Sequence, residues 1–267
     1  MTSTSSPSSR PPITVVSSAL NELDQVDPWL ESVAFADRCV VADHGSKDGT
    51  RERLIERGVE VIGVEPGGIV EDARSAAAAR VSEGWILVVD FDERVTLPLR
   101  DEICAAVASD EFAGYRIPFR HYVFGRWLRH GGWNDAHLRL FRADRGGYVA
   151  GRLHAQPEIE GEIGQLSERM VHFAHTSIHE FVIKMNRYTT QSAPALAAGE
   201  AGGLRRRPAL PEKPGKWLRA SASVFWNRYI KARGYRDGVA GFVIATLLSA
   251  YQFVEQAKAW EAKKGLG

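Results

Sequence analysis

The sequence predicts an α/β fold: a mostly parallel, mixed sheet flanked by helices, with a C-terminal helical extension. Three observations lead there. Short apolar runs alternate with helical segments of about 10 to 12 residues up to position 90, the order that builds right-handed βαβ units. That rhythm stops near Leu97, where longer strands and Gly-rich connections take over. Beyond position 205 the pattern is helical and strongly basic.

Residues 13–19 read as the first strand, and 22–33 as a helix with Asn21 as its N-cap. Residues 38–42 form a second strand ending at Asp43. A helix over 48–57 follows, capped by Ser46 or Asp48 and stopped by Gly58. Residues 59–64 are a third strand, Pro66-Gly67-Gly68 a loop, and 71–82 an Ala-rich helix. The five apolar residues Trp85-Ile86-Leu87-Val88-Val89 are too few for an ordinary helix and read as a buried strand. Residues 99–108 read as a helix, and 115–124 and 137–142 as strands of a mixed sheet. A polar, Gly-rich stretch runs to about Gly164. The helix expected over 179–193 meets Pro194, a natural stop. Pro208, Pro211 and Pro214 mark a linker before helical segments at about 216–233 and 237–263. No fixed-period repeat is visible.

Composition narrows the class. The 267 residues are 44% apolar and 25% charged, as in an ordinary soluble globular protein of one large or two small domains. Cys39 and Cys104 sit in apolar surroundings without a C-x-x-C partner, so they read as buried thiols in a reducing cytosol. Residues 1–12 lack the apolar core of a secretory signal and read as a disordered Ser/Pro tail. No uninterrupted run of 18 apolar residues exists, so no membrane-spanning helix is expected. The net charge of +1 hides an asymmetry. Ten Lys or Arg face one acid, Glu212, between Arg205 and Arg236, leaving that stretch at +9 and the rest at −8. An anionic partner for one face is implied.

The most informative stretch is Asp90-Phe91-Asp92-Glu93, directly after the fourth strand. Ligands in open α/β sheets bind outside the carboxyl ends of strands. Alternation along an extended chain would place Asp90 and Asp92 on one side. Two such carboxylates suit a hard cation, Mg²⁺ or Mn²⁺, able to clamp the phosphates of a nucleotide. The bland alternative is a solvated acidic turn. At the end of the second strand stands Asp43-His44-Gly45-Ser46-Lys47-Asp48-Gly49-Thr50. Its glycines allow tight turns, and its carboxylate is placed to meet a base or ribose. A well-capped strand–turn–helix connection would look the same.

These residues resemble the family 2 glycosyltransferases of the GT-A fold. The marks are Asn21-Glu22, the DHGSKDGT turn and WILVVDFDE, in order and spacing. Further along, Gly131-Gly132-Trp133, Arg139-Leu140-Phe141-Arg142, His154 and Lys184-Met185-Asn186-Arg187-Tyr188 are similar to the lipopolysaccharide-core glucosyltransferase subgroup. The resemblance spans roughly residues 13 to 260. It implies a Rossmann-like sheet and inverting transfer of a sugar from a nucleotide-sugar donor, most often a UDP-sugar, to a glycan or lipid-linked hydroxyl. It divides the chain into a nucleotide-sugar-binding half over 13–112, an acceptor-binding half over 113–204 and a basic extension over 205–267.

Carried over residue by residue, Asp43 would contact uracil, Asp90 the ribose or sugar, and Asp92 the metal. Asn21, Glu22, Ser46 and Asp48 belong to the same donor-binding loops. Arg139 and Arg142 lie three apart on a strand, so they face opposite sides, and only one can meet the diphosphate; Arg139 is the candidate. Arg74 falls where relatives carry a polar residue near the donor, though helix surface is the plainer reading. His154 is a candidate metal ligand or phosphate contact. Asp135 is the first choice for the base and Glu93 the second. His172, His175 and His179 lack the H-E-x-x-H arrangement of a zinc site.

The segment 205–236 mixes cations with aromatics and could lie on an anionic membrane, or the C-terminal helices could pair two copies of the chain. No nucleic-acid motif accompanies it. The expected location is cytoplasmic, peripheral on the inner membrane face. A sugar-nucleotide pyrophosphorylase would need a Gly-rich basic loop where Ser17-Ser18-Ala19-Leu20-Asn21-Glu22 stands. A dinucleotide enzyme would need G-x-G-x-x-G. The remaining alternative is a catalytically degenerate scaffold, since Ala155 replaces the Glu that many relatives place after His154.

Overall fold

The computed structural model describes residues 10–66, 70–148, 157–199 and 213–265. His154 therefore lies outside the described residues, as do Ala155, Pro208 and Pro211. By its contacts the chain forms two compact units, one of residues 1–118 and 136–171, the other of 119–135 and 172–267.

The first unit begins with β1 (Ile13–Ala19), α1 (Leu23–Val33), β2 (Arg38–Asp43), α2 (Thr50–Glu56), β3 (Glu60–Gly63), α3 (Val70–Ala78) and β4 (Trp85–Val88). The two-residue β5 (Glu93–Arg94) and α4 (Leu97–Ser109) follow. Strand β8 (Ala136–Arg142) pairs with β4, β6 (Gly114–Val123) pairs with β8, and β7 (Arg126–Trp127) pairs back on β6. Short strands β9 (Gly146–Gly147), β10 (Glu158–Ile159) and β11 (Ile163–Gln165) lead to β12 (Met170–His175). The sheet runs β3-β2-β1-β4-β8-β6-β12-β5. β1 to β4 are mutually parallel, and β8 runs antiparallel to both β4 and β6.

The order places a topological switch between β1 and β4. From β1 the chain winds outward through β2 and β3, then returns through α3 to the other side of β1. Loops on either side of such a point diverge and leave a crevice at the strands' carboxyl ends. The core beneath it packs Ala73 and Ala77 of α3 against Val16, Val40, Ala42 and Val88. Alanines four apart let the helix approach the sheet closely. On α1, Trp29 is fully buried, donates its indole N–H to the Val89 carbonyl at 3.2 Å, and stacks on Phe91 with ring centroids 4.7 Å apart.

In the second unit, α5 (Ile178–Ala198), α6 (Pro214–Phe225) and α7 (Gly238–Lys264) pack together. A π-helical turn (Trp226–Lys231) and a 3-10 turn (Gly234–Asp237) join α6 to α7. Pro194 does not stop α5, as the sequence suggests, but lies inside it. Ala193 and Leu196 bury against Ala259, and that packing offsets the amide bond lost at proline. The helix ends instead at Gly199, whose φ of 73° forms a left-handed cap. The expectation about membrane spans meets one helix that the sequence pattern did not single out. The helical run Gly234–Lys264 is long enough for a span and contains an 18-residue window of apolar composition, with a mean hydropathy of 1.4. It escapes a count of uninterrupted apolar residues because polar residues punctuate it. Length and composition alone are weak grounds for a span. One side of α7, with Ile244, Glu255 and Gln256, is buried.

At the amino end, Arg10 pairs with Asp37 at 2.6 Å and the Pro12 carbonyl accepts from the Trp85 amide, so the fold begins within the expected 1–12 tail.

Candidate active site

Asp90, Asp92 and Glu93 converge at the tip of β4, with carboxylate oxygens within 4.8 Å of one another. The route differs from the sequence expectation. The strand ends at Val88 and the acids sit on a turn closed by Glu93 N–H donating to the Asp90 carbonyl at 2.9 Å. Phe91, stacked on Trp29 in the core, anchors that turn. The same turn lets Glu93 join the other two, which plain alternation would not.

Two arginines hold the cluster. Arg74 of α3 makes a two-pronged pair with Asp90, its Nε at 3.1 Å from Oδ1 and its Nη2 on Oδ2. Arg139 of β8 bridges Asp90 at 3.1 Å and Glu93 at 2.6 Å. Glu93, only 1% exposed, also accepts the Asp90 amide at 2.8 Å. Burial by itself would raise the Asp90 pKa, but Arg74 and Arg139 hold it well below the usual carboxylate range. Burial pushes the Tyr148 hydroxyl pKa up, against the pull of the same two arginines. Arg74 is thus no surface residue of its helix: only 18% of its side chain is exposed. Nothing in an Ala-rich helical pattern marks the inward face, so the plainer reading fails there. Arg142 pairs with Asp110 and Asp144, on the other side from Arg139, as their three-residue spacing requires.

The β1 and β2 loops lie beside this cluster across the switch point. β2 and β4 flank β1 on either side, so Asp43 and the β4 tip are about two strand spacings apart, roughly 10 Å. Asp43 is buried, and its carboxylate accepts from the Gly45 and Ser46 amides at 3.1 to 3.3 Å. Asn21, with φ of 58°, bonds across to the second loop: its Oδ1 accepts from Lys47 N–H, and its N–H donates to Ser46 Oγ, both at 2.9 Å. Asp48 accepts the first amides of two helices, Leu23 of α1 at 3.1 Å and Thr50 of α2 at 3.0 Å. The Glu22 amide donates to Thr50 Oγ1 at 2.8 Å. Asn21, Ser46 and Asp48 therefore tie the two loops together, and Gly49, at φ of 97°, makes the bend into α2.

The second unit holds another polar group. Asp135 bonds His121 Nε2 at 2.6 Å, and His121 Nδ1 lies 2.8 Å from His172 Nδ1. His121 is buried, while 44% of the Asp135 side chain is exposed. The three groups form one continuous hydrogen-bonded chain. His121 carries no sequence signal beyond its place in a strand. Of the other two histidines in the spacing considered above, His175 ends β12 and His179 belongs to α5, so they share no helix. Among the described residues the acidic tip of β4 is the one group arranged to ligate a metal.

No family model matches the chain. It is similar to the lipopolysaccharide core biosynthesis glycosyltransferase LpsC of Rhizobium meliloti, 27% identical over 260 residues that cover 94% of this chain and 92% of that one. An uncharacterized glycosyltransferase of Rickettsia felis is 26% identical over 271 residues, covering 91% and 87%. Among solved structures, S. aureus TarS 1-349 superposes with a TM-score of 0.50 at 14% identity, over 95% of this chain and 92% of that one. TarS has also been solved with UDP and with UDP-GlcNAc. That likeness establishes the shared GT-A sheet and helices.

Proposed function

We propose that this chain, a glycosyltransferase of the GT-A fold, moves a sugar from a UDP-sugar to a hydroxyl of a core-type saccharide or lipid-linked glycan, inverting the anomeric carbon. The observation that carries the proposal is the acidic tip of β4, braced by Arg74 and Arg139 at the topological switch. Its oxygens suit a hard divalent cation, Mg²⁺ or Mn²⁺, and Asp92 is the proposed principal ligand. Bound there with the donor, such a cation would offset the charge on the leaving diphosphate. His154, outside the described residues, is proposed as a further contact to it.

The chain's own groups do the rest. The β1 and β2 loops, locked through Asn21, Ser46 and Asp48, form a rigid edge for the nucleoside, with Asp43 proposed at the uracil. Glu22 stands at the head of α1 in the same edge. Asp90 faces the ribose or sugar and keeps its charge because two guanidinia surround it. Arg139 compensates Glu93 and aims a cation at the diphosphate side. Transfer breaks the bond from the anomeric carbon to the phosphate oxygen and forms one to the acceptor oxygen. The acceptor's proton passes to a carboxylate. We propose Asp135, whose carboxylate is oriented by the 2.6 Å bond to His121 Nε2. Glu93, bonded to Arg139 and to the Asp90 amide, serves better as a brace than as a base.

The acceptor class follows from the Rhizobium relative, whose name places it in lipopolysaccharide core biosynthesis. An assay of UDP release from a panel of UDP-sugars, with Mn²⁺ and a core oligosaccharide, tests the reading. Release by the native chain that Asp92→Ala abolishes supports it. No release from any donor, with the fold intact, would favour the degenerate scaffold.

A further inference from the structure

We propose that the turn between α6 and α7 rests on an anionic lipid surface. Trp226, Ile230, Tyr235, Val239 and Phe242 expose between 37% and 78% of their surface. Single exposed apolar side chains are ordinary, but a contiguous patch marks an interaction site. Contiguity is visible in the rings. Phe225, Tyr229 and Phe242 contact one another with centroids 5.1 to 5.9 Å apart, and Tyr229 reaches Tyr235 at 6.3 Å. Val239 lies three residues before Phe242 on α7, and Trp226 four before Ile230, so each pair shares a face. The buried side of α7, with Ile244, Ala245 and Glu255, is committed to the unit's interior. The helix is therefore suited to lie on a surface rather than cross it.

Charge identifies the occupant. Lys216, Arg219, Lys231, Arg233 and Arg236 are exposed on the same segment, and none has an ion-pair partner among the described residues. The acid at hand, Asp237, is buried and accepts from the Arg129 and His130 amides and the His130 ring. A second copy of the chain meeting this face through a twofold axis would set cations against cations. An anionic headgroup layer meets them with opposite charge while the aromatics enter the acyl boundary. The site extends the sequence expectation for 205–236 past Arg236 to Phe242.

Flotation of the full chain with vesicles tests this without reference to sugar transfer. Binding to phosphatidylcholine vesicles containing phosphatidylglycerol, absent with phosphatidylcholine alone and weakened by salt, is expected. Trp226→Ser with Val239→Ser, and separately Lys231→Glu with Arg236→Glu, should each lower partitioning about tenfold while the circular dichroism spectrum is unchanged. No binding by the native chain, equal binding to neutral vesicles, or binding indifferent to both double variants overturns the proposal. So does a concentration-dependent dimer that Val239→Ser disperses, since a second copy would then own the face.

Discussion

Arg139 shows how much one guanidinium can hold. Glu93 is nearly sealed from solvent, and Arg139 is the cation that reaches both it and Asp90. Removing one partner of a buried pair leaves an uncompensated charge, at a cost of about 3 to 5 kcal/mol. Arg139→Ala should therefore lower the stability measured by urea unfolding by that amount. Arg139→Lys should recover only part, because an ammonium lacks the planar fork that serves two carboxylates. A loss well under about 1 kcal/mol for the alanine variant would mean the pair is not load-carrying. Asp90 has a pH signature. Its pKa is lower in the fold than in the open chain, so the native state binds its proton less readily. Its stabilisation is complete above the ordinary carboxylate pKa of about 4 and is lost as pH falls below that. Thermal midpoints followed against pH should show Asp90→Asn flattening the acid limb relative to the native chain. Parallel curves would refute the ion-pair reading. At this scale the sequence names Asp90, Asp92 and Arg139 from strand position, but it cannot show that Arg74 turns inward or that His121 backs Asp135. Those depend on which face each element buries.

Among elements, the starts of two helices share one side chain. Asp48 accepts the leading amides of both α1 and α2, and a lost helix cap typically costs about 1 kcal/mol. Asp48→Ala should thus destabilise by about 2 kcal/mol, twice a single cap, read by denaturant titration. A cost no larger than one cap would show that only one helix depends on it. The start of α5 is capped in a related way. Ser177 accepts the Glu180 amide, and Glu180 reaches back to the Thr176 amide at 2.9 Å and pairs with Lys184. Burial would raise the Glu180 pKa, yet Lys184 and Thr176 bring it to about 2. That carboxylate thus stabilises α5 above the ordinary Glu range and ceases to do so as pH falls toward 2. Helix boundaries in the sequence are good to a few residues where caps are local. Pro194 is misjudged because packing on α7, contributed by Ala259, decides it.

Across the molecule, the parallel order β3-β2-β1-β4 explains why acids far apart in sequence come to one edge of the sheet. The alternation of strands and helices, with an acid at successive strand ends, makes that much legible before any coordinates. The turn at 90–93, the continuation of α5 and the exposed aromatic face near Phe242 are not legible, because each is settled by tertiary packing. The central claim is that the β4 tip holds a divalent cation and a uridine diphosphate together. A thermal-shift titration of UDP with and without Mn²⁺, on the native chain and on Asp92→Ala, tests it most directly. At a ligand concentration about 100 times Kd, binding should add about 2.7 kcal/mol. The account expects that gain for UDP above GDP, only with Mn²⁺, and not in Asp92→Ala. Equal stabilisation without the cation, or in the variant, would contradict it.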